Sequence, residues 1–407
     1  MTRKSPLRNA ATVIGIGTKI ATLAEGPKIN SLQLELAACV EAIKAAGIDR
    51  NQVGAVFTCR APMGYTSLQF NLRIVQELKI VPSLTSEITV HGAGVLGTLA
   101  HAAMAVQSGI VDYALCCSGC TGPMWTDLVR VNASIEADLQ FEAPYGPTTP
   151  SLYAQWAQRY MYDFSVRPED LAIIAVENRR WALDHPDAAM RSKGPITVDD
   201  VLASKMLASP IRILDSSTWF KGGFGAAVIV TRADLAREAH RPVYISGFGE
   251  AVTHEWLTDR MHFSGVEPAI TPNLHTTGAK VAADRAYTMA GLTPDDIDLA
   301  ETSVPFTFAN MMALEDLGFC KKGEGKDFVR GGGISYDDGL PFNTNGGYLS
   351  FGQAPHGMHM AVEALQQLRG EAQGKQVANA RHGLAHFHGG PLAGHCVMIF
   401  SNQGGLS

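Results

Sequence analysis

The chain has no excess of basic charge. Its 33 lysines and arginines are outnumbered by 39 aspartates and glutamates, leaving a net charge of -6 and a pI near 6.1. No Lys/Arg stripe of the kind that holds a phosphate backbone is present, which argues against nucleic acid as a partner. Long apolar runs are missing as well, and none reaches the length of a membrane span. The N-terminal stretch MTRKSPLRNAATVIGIG is basic, but its apolar part is short, broken by glycine and strand-like, so it makes a poor secretion signal. The expected location is the cytoplasm. Seven cysteines, an odd number in 407 residues, point to reduced thiols rather than a disulfide framework. What the chain does have is apolar mass. At 46% hydrophobic over this length it can bury a large core and build two domains.

Two halves read alike. Ala45–Thr58 (AAGIDRNQVGAVFT) and Ala290–Thr302 (AGLTPDDIDLAET) each pass from a helix end through a glycine stop and a polar turn into a strand. The halves open with VIGIG at Val13–Gly17 and YISGFG at Tyr244–Gly249. In the middle of each, an apolar-striped helix, a turn and a buried strand follow one another, at Ala100–Gly119 and again at Met360–Gly389. Each half closes on a continuous apolar strand, Gly225–Val230 and His395–Phe400. This repetition predicts an α/β duplication, with one half over residues 1–240 and the other over 241–407.

One stretch, Pro341–His359 (PFNTNGGYLSFGQAPHGMH), together with Leu314–Gly333 (LEDLGFCKKGEGKDFVRGGG) upstream, resembles the sterol-carrier-protein-type thiolases and the related lipid-transfer thiolase-like proteins. The shared pattern is an Asn-x-x-Gly-Gly turn, a short apolar piece, then Gly-His-Pro leading into a helix. Asn343, Gly346, Gly347 and Gly352 match it, whereas Gln353 and Ala354 stand where His and Pro are expected. The resemblance implies the five-layered αβαβα thiolase fold of two duplicated halves, an active site between them, and usually a homodimer. It also implies a loop domain, about residues 120–215, that covers an acyl-CoA; the segments SLYAQWAQRYMYDF and PEDLAIIAVENRRWALDHPDA suit that role.

The chemistry-bearing positions of the family are altered. Counting back from Ser108-Gly109, the thiolase cysteine position falls on Gly92, preceded by His91, and glycine cannot attack a thioester. Gly92 at a helix start either offers N–H groups to a thioester oxygen or simply permits tight packing. Ser303-Val304-Pro305-Phe306 occupies the place of the thiolase Asn-Glu-Ala-Phe. The steroid side-chain aldolases, which this chain also resembles, carry tyrosines near Ser303 and Gln353, and both are missing here. Tyr348 could supply a phenol or serve as a packed aromatic.

Histidine is what the C-terminal region offers instead: His356, His359, His382, His386, His388 and His395. His386 and His388 share a strand face, and His356 and His359 share a helix face. In the thiolase arrangement His386-Phe-His388-Gly389-Gly occupies the Cys-x-Gly-Gly-Gly loop, near Gln353 and His356. A histidine there could act as acid or base, or bond to loop carbonyls. A zinc site is not expected, because no carboxylate or thiolate is positioned with the histidines. Cys117-x-x-Cys120 stands alone and reads as packed thiols. Lys321, Lys322 and Lys326 are candidates for coenzyme A phosphates, or a solvated loop.

These readings predict an enzyme acting on an acyl-CoA without a covalent acyl-enzyme, with retro-aldol cleavage of a β-hydroxyacyl-CoA foremost. Two alternatives stand beside it. One is acyl transfer on β-ketoacyl-CoAs, aromatic ones included, by a displaced nucleophile; the other is a non-catalytic thiolase-like subunit. No bound cofactor is expected beyond the coenzyme A of the substrate. The resemblance further implies a small OB-fold, zinc-ribbon partner protein.

Overall fold

The computed structural model describes residues 5, 7–21, 29–59, 69–121, 137–219, 222–236, 239–261, 273–354 and 357–404. The strands are β1 (Ala11–Ala21), β2 (Val53–Cys59), β3 (Leu84–Ile88), β4 (Tyr113–Thr121), the short pair β5 (Met206–Ala208) and β6 (Ile211–Arg212), β7 (Gly223–Arg232), β8 (Val243–Val252), β9 (Leu299–Ser303), β10 (His382–Gly389) and β11 (Gly394–Ser401). The helices that matter for the site are α1 (Ser31–Ala45), α2 (Phe70–Leu78), α3 (Gly94–Gln107), α4 (Thr149–Phe164), α5 (Pro168–Asp184), α6 (Ala279–Ala290), α7 (Thr307–Asp316), α8 (Gly347–Ser350) and α9 (His359–Arg369). None of the described helices is long and apolar enough to cross a membrane.

Nine strands run in the order β3-β2-β4-β7-β1-β8-β11-β10-β9, and the duplication is visible in how they pair. In the first half β2 lies parallel to β4, β4 antiparallel to β7 and β7 antiparallel to β1. The second half repeats those senses, with β9 parallel to β10, β10 antiparallel to β11 and β11 antiparallel to β8. The halves meet where Ala11–Val13 pairs with Val243–Ile245. Among the described residues the second half has no counterpart of β3.

The glycine pairs that open each half have the same physical cause. Gly15 and Gly17 of β1 press against the backbone of α1 at Ala42 and Ala38, and Gly247 and Gly249 of β8 press against α6 at Ala286 and Ala282. A side chain at any of the four would overlap a helix carbonyl, so the sequence similarity records a repeated strand–helix contact.

The layers follow from apolar faces. α1 covers β1, β7 and β4 on one side, and α6 covers β8 and β11 on the other. Between the two halves lie α3 and α9, each touching strands of both. The outcome is the αβαβα thiolase fold, with one buried cluster around the central helices and others beneath the outer ones. α3 is apolar on all sides, as a helix in the middle layer must be. α4 starts at a capping box in which the Thr148 hydroxyl accepts from the Ser151 N–H. Its buried residues Leu152, Tyr153, Trp156, Ala157 and Tyr160 fall at helical spacing and turn one face of the helix inward.

Candidate active site

The first turn of α3, the ends of β9 and β10, and the inner face of α4 converge. His91, just before α3, has φ 45°, a left-handed conformation that costs a non-glycine residue about 1–3 kcal/mol and recurs at functional sites. Its carbonyl accepts from the Gly94 N–H and from the Cys59 thiol, the latter at 3.8 Å. Gly92 faces β10: a Cβ there would lie 2.7 Å from the His388 carbonyl oxygen. Gly389 packs just as closely against His91 and the Gly92 N–H. Gly92, His91, His388 and Gly389 therefore come together.

His388 is the best-connected histidine of the group. Its Nδ1 lies 2.8 Å from the Ser303 carbonyl oxygen and its Nε2 lies 2.8 Å from the Tyr153 hydroxyl, while its own N–H donates to Ser303 Oγ at 3.3 Å. Burial, offset in part by the bond to Ser303, depresses its pKa to about 4, with His91 adding to the effect. The ring is neutral at physiological pH, with one nitrogen on the Ser303 carbonyl and the other on the Tyr153 hydroxyl. Ser303 also holds Tyr348, whose phenol bonds to the serine side chain and is pushed up by burial. Tyr348 in turn stacks on His359 at 5.0 Å, and burial lowers the His359 pKa to about 3.

His386 lies deeper. Its Nε2 is 3.0 Å from Nδ1 of His395, whose Nε2 bonds to the Leu392 carbonyl at 3.1 Å. The His395 proton must therefore sit on Nε2, and His386 donates from its own Nε2. His386 thus supports the strand end rather than sharing the position of His388. Gln353 donates its N–H to the Thr218 carbonyl, at 2.5 Å, and its side-chain oxygen is buried with no hydrogen-bond partner among the described residues. His356 lies outside the described residues.

The Asn-x-x-Gly-Gly turn is scaffold. Asn343 Oδ1 accepts from the Thr302 N–H at 2.7 Å, and its Nδ2 donates to Asn310 at 3.1 Å, which ties the turn to β9. Gly347, with φ 58°, receives the turn and donates to Asn345 at 2.9 Å. Behind it, the Thr344 hydroxyl lies 2.6 Å from Glu301 and 2.8 Å from Glu363. Burial raises both carboxyls, and one hydroxyl proton cannot serve two carboxylates, so the pair retains a proton of its own.

Of the lysines proposed for coenzyme A, Lys322 is engaged elsewhere. Its ammonium lies 3.0 Å from Glu315 and 2.7 Å from Asp316, both buried. Lys326 donates to the Phe164 carbonyl, and Lys321 is exposed. Among the described residues no three His, Cys, Asp or Glu side chains converge as metal ligands would.

Two residues at the site escaped the sequence reading. Tyr153 had a signal only in its place on the apolar stripe of α4, which does not say which aromatic meets the strands. Cys59 ends β2 with its thiol 3.4 Å from where a Cβ of Gly94 would be, beside the start of α3. Nothing local marks it.

This fold and this rim of strand ends define a thiolase-type protein, and comparison with known proteins agrees. Residues 266–402 match the family described as "Thiolase C-terminal domain-like". The chain is 34% identical to an acetyl-CoA acetyltransferase of Methanothermobacter thermautotrophicus over 88% of its own length and 91% of the relative's. It is 31% identical to a 17-hydroxy-3-oxo-4-pregnene-20-carboxyl-CoA lyase of Mycobacterium tuberculosis, covering 93% and 96%. A solved structure titled "Ltp2-ChsH2(DUF35) aldolase" superposes with a TM-score of 0.80 at 26% identity, over 98% of this chain and 99% of that one. The chain belongs to the thiolase superfamily.

Proposed function

We propose that the protein acts on an acyl-CoA in the cytoplasm and cleaves or forms the carbon–carbon bond next to the thioester without a covalent acyl-enzyme, retro-aldol cleavage of a β-hydroxyacyl-CoA being the reaction. The observation that carries this reading is the contact of Gly92 with His388. At the helix start where a thiolase nucleophile belongs there is a glycine, and the strand residue whose carbonyl oxygen packs against it, His388, carries a neutral imidazole. Retro-aldol chemistry needs a base for the β-hydroxyl and donors for the enolate oxygen, and neither demands a thiol. His388 suits the first task and the N-terminal turn of α3 the second. Coenzyme A enters as part of the substrate, with no other cofactor. The lyase and aldolase among its relatives support the same class.

A second reading, acyl transfer, draws on the acetyltransferase relative and on Cys59 beside α3. A homodimer and a small OB-fold, zinc-ribbon partner are part of the proposal, the latter in keeping with the aldolase named with a DUF35 component. The test is to incubate the protein, alone and with such a partner, with a panel of β-hydroxy- and β-ketoacyl-CoAs. Release of an aldehyde or ketone together with a shortened acyl-CoA is expected. Consumption of free coenzyme A with β-ketoacyl-CoAs alone would favour acyl transfer, and no turnover in any arm would favour a non-catalytic subunit.

A further inference from the structure

We infer that Arg179 is the base of an oxyanion site where α5 meets α8, and that the site takes a phosphate group. The inference goes beyond the lyase reading and does not depend on it. Arg179 lies on α5 and is 3% exposed. Its Nε donates to Ser350 Oγ at 3.0 Å, and its Nη1 donates to the Gly194 carbonyl at 3.0 Å. Both acceptors are neutral. A guanidinium carries five N–H donors, so with two engaged, three remain without an acceptor among the described residues, both of those on Nη2 included. The two bonds hold the fork in place and leave its other edge for a planar or tetrahedral oxyanion.

Charge argues in the same direction as the bond count. Burial alone acts on Arg179, lowering its pKa, and no acid raises it. A cation taken out of water without a counter-ion is strongly disfavoured. A lysine could shed its proton in such a place, whereas an arginine keeps it. The other cations drawn into the described structure have acids beside them. Lys322 pairs with Glu315 and Asp316, and Glu371 acts on Arg369, the second buried arginine. Arg179 is therefore a fixed buried charge whose counter-ion has to come from outside these elements.

The surroundings give that counter-ion a way in. Gly194 has φ 75° and ψ -174°, a conformation essentially confined to glycine, and it turns its carbonyl to Arg179. A Cβ on Gly194 would have no heavy atom within 4 Å, so the space beside it is open, and Nη2 is not fully enclosed. The turn before it, Arg191–Lys193, is exposed and carries two cations. Arg191 Nε is committed to the Leu183 carbonyl at 3.2 Å, which leaves Lys193. Asp187, the one acid of residues 185–194, acts on His185 instead. A carboxylate would be used up by the guanidinium fork, whereas a phosphate keeps a third oxygen and a second charge for Lys193. The site is also tied to the catalytic side. The Ala189 and Met190 N–H groups donate to the Phe351 and Ser350 carbonyls at 2.8 and 3.1 Å, and α8 carries Tyr348, bonded to Ser303.

The test uses the full-length protein at constant ionic strength, with inorganic phosphate as the probe and potassium chloride as the reference, read by calorimetric titration and thermal melting. Phosphate is expected to bind the unmodified protein and raise its melting temperature. Arg179→Met is expected to weaken phosphate binding about 10–100-fold, the worth of hydrogen bonds to a charged group. In chloride alone the same variant is expected to melt no lower than the unmodified protein, because it removes a buried charge that has no partner. An arginine with a purely structural role predicts the reverse, a lower melting temperature in chloride with phosphate binding unchanged, and that result overturns the inference. No phosphate binding by the unmodified protein overturns it too. If Arg179→Met does not fold, Arg179→Lys decides, since it keeps the charge and loses the fork: weaker phosphate binding supports the site, and undiminished binding overturns it. Two sources carry such a group, coenzyme A and the free anion. Competition between phosphate and coenzyme A assigns the site to the substrate's own phosphate, the 3′-phosphate where dephospho-coenzyme A does not compete; independent binding assigns it to free phosphate.

Discussion

Gly92 lies against His388, so closely that a Cβ on the glycine would come 2.7 Å from the histidine carbonyl oxygen. The start of a central-layer helix from one half of the duplication and a strand end from the other are thus fixed to each other by backbone. The atom that must yield to any side chain is a carbonyl in the sheet rather than the tip of a flexible group.

Gly92→Ala tests this directly. The methyl group forces α3 and β10 apart, and overpacking of this kind costs about 1–3 kcal/mol. Activity is expected to fall by more than the loss of folded protein explains, because the shift moves the His388 bonds to Tyr153 and Ser303. Chemical denaturation and turnover on the same samples check it. A variant as stable and as active as the unmodified protein would show that this contact does not constrain the site.

The duplication was legible in the sequence because its causes are local: glycines at strand–helix contacts, apolar helices of the middle layer, and closing strands buried on both faces. The place of Gly92 just before the start of α3 was legible for the same reason, a count along one helix. The Tyr153–His388 contact was not, since it joins residues 235 positions apart and depends on how α4 folds back over the strand ends. Strand alternation placed His386 and His388 on one face correctly but could not tell which reaches the rim. His386 is held by His395, whose register on β11 is a tertiary fact. The pairing of Lys322 with Glu315 and Asp316 needed the loop after α7 to turn back on its own helix, where the bare sequence shows only a basic loop.

The cysteines provide a second prediction. Cys59, Cys116, Cys117, Cys120 and Cys396 are buried; burial raises the thiols of Cys116, Cys120 and Cys396, and the bond with Cys39 together with burial raises that of Cys117, which disfavours the nucleophilic thiolate. Intact-mass analysis of protein quenched during turnover of a β-hydroxyacyl-CoA is expected to show no acyl adduct. A stoichiometric acyl group on Cys59 would establish acyl transfer in place of aldol chemistry.

Lys321 and Lys322 are adjacent in sequence, and their environments predict opposite behaviour. Lys322→Ala leaves the buried carboxylates of Glu315 and Asp316 without their cation, an effect worth about 1–3 kcal/mol once the partial exposure of the lysine is allowed for. Lys321→Ala changes stability by less than about 0.5 kcal/mol, and its effect is confined to coenzyme A affinity. Thermal melts together with calorimetric titration of coenzyme A separate the two. Equal stability loss in both variants would refute the assignment.

The buried pair behind the Asn-x-x-Gly-Gly turn carries the last prediction. Glu301 and Glu363 approach one threonine hydroxyl at 2.6 and 2.8 Å, and burial pushes both carboxyls up. The folded protein therefore holds a proton that the unfolded chain releases near pH 4.5. Between that pH and the folded value the native state binds more protons than the unfolded one, so this pair makes stability fall as pH rises, by up to about 1.4 kcal/mol per pH unit for one proton. Glu301→Gln supplies a neutral group of the same shape and removes that dependence. Relative to the unmodified protein, the variant should gain stability between pH 6 and pH 9, whereas Glu301→Ala, which opens a gap beside Thr344, should be less stable at both. Urea unfolding at the two pH values reads the difference. If Glu301→Gln keeps the same offset from the unmodified protein at both pH values, the pair is fully ionised in the native state and the shared proton is not there.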